Sequence, residues 1–429
     1  MKSVRHLFAD TRPLQEPAFR RLWFAGIVTV IGAQLTVVAV PAQIFAITRS
    51  SAFVGLTGLF GLLPLVVLGL YGGALADVMD RRKLLLVTTC GLIGTSAVFW
   101  LQALLGVENV WLILVVFAVQ QAFFAVNQPT RSALLPRIIP LSQLPAANSL
   151  NMTVFQFGAI AGPLVGGALI PVLGYSWLYL VDTITLTATL WAVFSLPPIP
   201  PLGAPGRAGV RAVVDGLRYL RGHPVLLISF LVDIIAMVFG MPRALFPQIA
   251  HQSFGGPVTG GLAFALLFAG IPVGAVLGGI FSGWVSRVSR QGLAVVCAIV
   301  VWGVGMVVFG VASGLAGGGT GLWLGIALVG LVIGGAADMS SAAFRSTMLQ
   351  EAAGDDVRGR LQGVFTVVVA GGPRIADVVH GGVAALAGTA ATAAGGGVLV
   401  VVGVVAAAVS VPVFVHYRVV RDPARASTR

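Results

Sequence analysis

The sequence predicts an all-helical membrane protein of twelve transmembrane helices, built as two pseudo-symmetric six-helix halves. Three observations predict it. Only 9% of the 429 residues are charged, while 57% are hydrophobic; soluble domains carry roughly 25% charged residues. Long charge-free runs recur along the chain. The basic residues gather in alternate loops.

The runs 22–48, 50–76, 84–107, 109–130, 183–206 and 291–337 hold no Asp, Glu, Lys or Arg. A spanning helix needs about 20 mostly apolar residues. Each shorter run therefore fits one helix, and the longest fits two. In chain order the spans read 22–47, 51–76, 84–105, 110–128, 148–171, 177–196, 224–250, 259–283, 293–312, 321–343, 361–387 and 393–416. A membrane barrel is excluded, because its strands would alternate apolar and polar residues. These runs are apolar all round.

The net charge of +12 does not point to nucleic acid, because no basic patch has a soluble fold to present it. Its distribution points to a membrane. Of 26 Lys and Arg, 23 fall before span 1, in the even-to-odd loops or in the tail. Arg49 is in a loop on the opposite side, and Arg243 and Arg374 lie inside spans. This positive-inside bias places both termini in the cytoplasm of a cell membrane. The first 21 residues are polar and basic, without the apolar core of a cleavable signal. Cys90 and Cys297 fall inside spans 3 and 9, so neither a disulfide framework nor a metal site is expected. They read as small core residues.

The longest interior polar stretch, 197–223, has five prolines before residue 206 and four arginines after it. It reads as a cytoplasmic linker, with a short surface helix at 210–220. It divides the chain into a first half, 1–196, and a second, 224–429. The halves repeat. Arg131-Ser-Ala-Leu-Leu matches Arg345-Ser-Thr-Met-Leu 214 residues later, each read as a loop before the next span. At that offset Asn148 meets Gln362 and Gly158 meets Gly372. Cys90 and Cys297 are 207 apart. Parallel repeats of this kind place a substrate site between the halves, near the bilayer midplane.

The loop between spans 2 and 3 reads Gly73-Ala-Leu-Ala-Asp77-Val-Met-Asp80-Arg81-Arg82-Lys83. Here the chain resembles the major facilitator superfamily, whose pattern in this loop is G-x-L-a-D-r-x-G-R-[RK]. Gly73, Leu75, Asp77, Arg81 and Arg82 match; Val78 and Asp80 depart from it. The resemblance implies a cytoplasmic gate, with Asp77 facing the positive end of helix 11. Span 5 contains Gly158-Ala-Ile-Ala-Gly162-Pro163-Leu-Val-Gly166-Gly167, which resembles the superfamily's antiporter motif at every fixed position. Small residues four apart let helices approach closely, and the proline bends the helix.

Charged groups inside spans are costly and default to function. Asp233 lies about ten residues into span 7. Arg374, Asp377 and His380 follow at i, i+3 and i+6, on roughly one face of span 11. With Asp338 they form the expected proton-coupling set. Asp182 and Asp338 read as lying near span ends, within reach of water. Gln34, Gln120, Gln121, Asn127, Asn151 and Gln156 either bind a polar ligand or join neighbouring helices. Arg243, near the outer end of span 7, is placed to attract an anionic substrate or gate the outer mouth.

Pro17-Ala-Phe-Arg-Arg-Leu-Trp, Ala39-Val-Pro-Ala-Gln-Ile, Gly72-Gly-Ala-Leu-Ala-Asp and Arg358-Gly-Arg-Leu-Gln-Gly resemble one branch of the superfamily, that of enterobactin exporters and other secretion-type transporters. The resemblance runs from about residue 15 to 416. It implies efflux of a siderophore or another amphipathic small molecule by a monomer in the lipid bilayer, driven by protons and needing no cofactor. No nucleotide-binding loop of the G-x-x-x-x-G-K-[ST] type appears. An importer or facilitator of the same fold is the alternative. A lipid scramblase or intramembrane enzyme is remote, since no H-E-x-x-H or G-x-S-x-G string is present. The topology is testable with reporter fusions. Tags at residues 1 and 429 should report cytoplasm, and a tag near Glu108 should report the outside. A cytoplasmic signal at Glu108 would overturn the span count or its orientation.

Overall fold

A computed structural model describes residues 10–200, 218–220, 222–352 and 355–418. Every long element among them is a helix: α1 Pro17–Thr48, α2 Ser51–Val78, α3 Arg81–Leu104 and α4 Val110–Ile138. Leu144–Phe194 is continuous but for Gly174, whose φ of 76° and ψ of 172° break it into α5, 144–173, and α6, 175–194. The second half holds α7 Pro224–Gly240, α8 Leu262–Ile280, α9 Gln291–Leu315, α10 Leu322–Ala352, α11 Asp355–Ala387 and α12 Thr389–Ser410. Among the described residues these twelve long helices are consistent with the twelve spans read from the sequence.

Local chemistry sets the ends. Ser50 caps α2 by accepting from the Ala52 amide, Asp80 caps α3 through Lys83, and Asn109 caps α4 through Trp111 and Leu112. Such side chains satisfy amides that a helix start leaves without partners. Arg49, at φ 56°, turns the chain between α1 and α2. Span 7 ends early: α7 stops at Gly240, before Pro242, and a turn at Arg243–Leu245 leads into a short helix, Phe246–Gln252.

Other helices run past their predicted limits. Arg131 and Arg345, expected in loops, lie within α4 and α10. Of the predicted linker helix, only 218–220 fall among the described residues, and they are helical. Cys90 and Cys297 are exposed, not core. The outer shell of a membrane protein is itself apolar, so an apolar position on a helix carries no sign of burial.

Each half packs as a bundle, and two seams join them: α2 against α11, and α5 against α8. The repeat relates α2 to α8 and α5 to α11, so it carries one seam onto the other. Both seams close at the end of the molecule that carries Arg49, and glycines make the closure possible. A Cβ on Gly381 would lie 2.8 Å from the Gly55 Cα, and one on Gly167 would lie 2.8 Å from the Ala265 Cα. The Gly261 amide donates to the Gly167 carbonyl at 2.9 Å, backbone to backbone across the halves.

Gly167→Leu should force α5 and α8 apart. Overpacking of this kind costs about 1–3 kcal/mol. Thermal unfolding of the detergent-purified variant should shift down, while Gly94→Leu, with nothing within 4 Å of the added carbon, should leave it unchanged.

Candidate functional site

The α5 glycines of the proposed antiporter motif build a groove for α1. Gly158 packs on Val30 and Gly162 on Gln34, and a Cβ on Gly166 would sit 2.8 Å from Val38. Pro163 is buried among them. Gly167 takes part in the α5–α8 seam instead. The motif thus holds two helices at once, one in each half.

The second half carries a buried charge cluster. Arg345 on α10 forms an ion pair with Asp233 on α7, and its other terminal nitrogen stands 4.0 Å from Asp338. Arg345 is 5% exposed, Asp233 1% and Asp338 26%. Desolvated charges of this kind persist only when paired. A pocket lined by Leu226, Ser229, Phe230, Asp233, Arg345 and Leu349 lies on the Pro224 side of the pair. Asp338 keeps partial access, as expected. The residue that organises both acids, Arg345, was visible in the sequence only as half of a repeat.

The repeat explains what that arginine does. Helices α1 and α7 both begin on a proline, Pro17 and Pro224, 207 residues apart. At that offset Asp233 stands where the first half has Gly26. Arg131 lies against Gly26: an added Cβ would be 2.9 Å from its Nη2, which donates to the Leu22 carbonyl of α1 at 3.1 Å. In each half one arginine ties the fourth helix to the first. In the second half its partner has become an acid.

Helix α11 brings Arg374, Asp377 and His380 to one face, but not as the expected pair. Among the described residues no ion pair joins Arg374 to Asp377. The Arg374 guanidinium instead crosses the α2–α11 seam. It donates to Gln121 Oε1 of α4 at 3.0 Å and lies 5.3 Å from the Phe117 ring centre. Gly61 of α2 leaves room for it, with an added Cβ 3.2 Å from the guanidinium carbon. Asp377 is 8% exposed, and its Oδ1 has no hydrogen-bond partner. His380 shares a hydrogen bond between Nε2 and the Phe239 carbonyl of α7 at 3.0 Å, and its Nδ1 has no partner. Arg243 is exposed in the turn after α7 and interacts electrostatically with Asp338, Arg374 and Asp377.

Side-chain contacts also close the Arg49 end. Gln248 of the short helix after α7 accepts from the Ser51 amide at 3.1 Å and from the Ser51 hydroxyl at 2.6 Å. Gln248 gave no signal in the sequence, because a glutamine near a predicted span end is unremarkable until the opposite half is placed beside it.

At the other end, the surroundings of Gly73 and the side chain of Asp77 lie outside what is described. The rest of that loop is tied to the chain after α6. Asp80 accepts from the Ile199 amide at 3.0 Å, and the Arg81 amide donates to the Ile199 carbonyl at 3.1 Å. Arg82 donates to the Phe194 carbonyl at 2.7 Å and lies over the Phe194 ring. Asp80, one of the two departures from the superfamily pattern, is therefore a clamp on the start of the linker.

Of the uncharged polar set, Gln121 joins the seam and Gln34 sits on the α5 groove. Asn127 is turned to α3, where it donates to Thr88 at 2.8 Å. Gln120 is buried, and Asn151 and Gln156 are half-buried. Asp182, expected near water, is instead 1% exposed, because Gly32 and Thr36 of α1 and Ser96 of α3 pack on it.

A family model described as transmembrane secretion effector matches residues 9–421. The chain belongs to that family. It is 28% identical over 376 residues to the enterobactin exporter EntS of Shigella boydii, covering 86% of each chain. Its fold is that of major facilitator transporters. A crystal structure of a mutant nucleoside transporter NupG superposes with a TM-score of 0.75 at 12% identity, over 91% of this chain and 99% of that one. A bacterial homologue of the lysosomal transporter Spinster superposes with a TM-score of 0.69 at 15% identity, over 95% and 97%. The protein is a multi-pass secondary transporter of small molecules.

Breaking the Arg345–Asp233 pair from one side should cost about 3–5 kcal/mol, because a charge is left buried alone. Arg345→Gln should therefore lower the unfolding temperature of purified protein sharply. Adding Asp233→Asn should restore much of the loss. A double variant no better than the single would mean that Arg345 supports the fold by packing alone.

Proposed function

We propose that this transporter is a proton-coupled exporter of a siderophore or another amphipathic small molecule, acting as a monomer by alternating access. The positive-inside distribution supports placing the Asp80 end in the cytoplasm and the Arg49 end outside. On that orientation the Ser51–Gln248 contact and both seams form the closed outer gate. The antiporter-like motif and the similarity to an enterobactin exporter support outward transport. In this reading the exposed Arg243 meets acidic groups of the cargo. Protons drive the cycle, with no cofactor.

One observation carries the coupling: Arg374 hydrogen-bonds across the halves to Gln121, while Asp377, three residues along the same helix, has no ion-pair partner among the described residues. Opening the outer gate separates α11 from α4 and must break the Arg374–Gln121 bond. The guanidinium is then free to turn to Asp377. A carboxylate's proton affinity depends strongly on whether a cation stands beside it. Movement of the halves is thereby converted into binding and release of a proton. Asp233 and Asp338, held by Arg345, form the second group of acids available to this cycle.

Transport assays in inverted vesicles test both parts. Accumulation of a labelled siderophore on imposing an inside-acid gradient is expected; loss of label from preloaded vesicles would indicate import. Asp377→Asn should abolish concentrative transport while downhill exchange survives, and Asp233→Asn should chiefly change affinity. The reverse pattern would move the coupling role to Asp233. Full concentrative transport in both variants and in the double variant would remove these acids from the mechanism.

A further inference from the structure

The charge cluster belongs to the second half, yet the first half also buries an acid. Asp182 lies on α6, 1% exposed. Its Oδ2 accepts from Thr36 of α1 at 2.7 Å and from Ser96 of α3 at 2.8 Å. Its Oδ1 has no hydrogen-bond partner. Among the described residues no lysine, arginine or histidine faces it. Helix α1 presents Gly32 and Thr36, α3 presents Ser96, and α6 itself presents Thr185 and the phenol of Tyr179. That phenol is engaged with Gln43 of α1 at 2.9 Å.

The contrast with Asp233 is informative. Both acids are buried to the same degree, and both stand within a half-bundle. Asp233 has a guanidinium against it, whereas Asp182 has two neutral hydroxyls on one oxygen and nothing on the other. A bare carboxylate in that setting is strongly disfavoured. It needs a positive partner, and the packing limits what that partner can be. A Cβ on Gly32 would fall 3.1 Å from Oδ1 and 2.9 Å from the Asp182 Cα, so α1 sits directly on the carboxyl. The space admits a proton more readily than a metal cation with its several ligands.

We propose that Asp182 is a proton-binding site of the first half, a carboxylic acid enclosed by α1, α3 and α6 in the closed-outside state that gives up its proton when water reaches it in another state of the cycle. Only an O–H bond breaks and re-forms. The proposal rests on the coupled-transport reading for its use in the cycle, but not for its existence.

Polar side chains flank the site along α1 and α6, without a hydrogen bond that links them to the carboxyl. Towards the Asp80 end, Thr29 lies 2.6 Å from Thr189 and donates to the Thr185 carbonyl at 3.0 Å, and Thr185 donates to the carbonyl of Asp182 itself. Towards the Arg49 end, beyond Tyr179, the Gln43 and Gln102 amides bond each other reciprocally at 3.1 Å. From Thr29 to Gln43 these groups span about 21 Å of α1 at 1.5 Å per residue. They stand apart from the α2–α11 and α5–α8 seams.

Infrared spectroscopy of the purified protein, without substrate, tests this. At about pH 7 an ordinary aspartate, with a pKa of about 3.9, is fully ionised. The wild-type-minus-Asp182→Asn difference spectrum should contain the C=O stretch of one protonated carboxyl, shifted in deuterium oxide. That band should persist in Asp377→Asn and Asp233→Asn. Thr36→Val should displace its frequency by removing one hydroxyl, which reads the same group should Asp182→Asn fail to fold. Carboxylate stretches in place of that band, or no frequency change in Thr36→Val, would overturn the proposal. So would a band present in choline chloride but lost in sodium chloride, which would identify a sodium site. Should Asp377→Asn leave concentrative transport intact, the coupling scheme fails while the spectrum still decides the protonation of Asp182.

Discussion

The bilayer imposes the constraint from which the rest follows: an apolar side chain gains almost nothing by turning from lipid to another helix. Cohesion must come from backbone proximity and from the few polar groups that have nowhere else to go. This chain uses both. Glycines on α2, α5 and α11 bring helices to within a side chain's thickness of one another. Between them, single polar contacts decide which helices stay together, as Arg131 does with Leu22 and Arg345 with Asp233. Where the halves meet, the same glycines permit a backbone-to-backbone hydrogen bond, Gly261 to Gly167.

That economy divides the labour between the halves. The first half keeps its charge to a minimum: Arg131 bonds a carbonyl, and Asp182 meets hydroxyls on one oxygen only. The second half concentrates charge around Arg345, Arg374 and Arg243. The repeat places these differences at matched positions, with Gly26 in one half answering Asp233 in the other. A duplicated scaffold has kept its mechanical arginine twice and gained an acid partner once.

Much of the fold was legible because a spanning helix must be continuous and apolar. The charge-free runs located the helices, and the alternation of basic loops ordered them. What the runs could not give was where helices end. Treating each charged residue as the start of a loop cut α4 at Arg131 and α10 at Arg345, although both side chains find partners inside the bundle. Asp182 was placed near water because it lies close to the start of its span, a rule blind to the faces of α1 and α3 packed against it. Helix-face spacing did bring Arg374, Asp377 and His380 together, but it could not show that Arg374 reaches past α2 to Gln121, since that depends on the opposite half. Gln248 was invisible for the same reason. The antiporter-like motif was legible as close packing, and its division between α1 and α8 emerged only in three dimensions.

The two cysteines have a practical side. Cys90 and Cys297 occupy similar places in the two halves, on α3 and α9, and both are exposed. Each six-helix unit thus carries one exposed thiol without any engineering. A pair of spin labels placed there would sit on the two bodies whose relative motion defines the transport cycle.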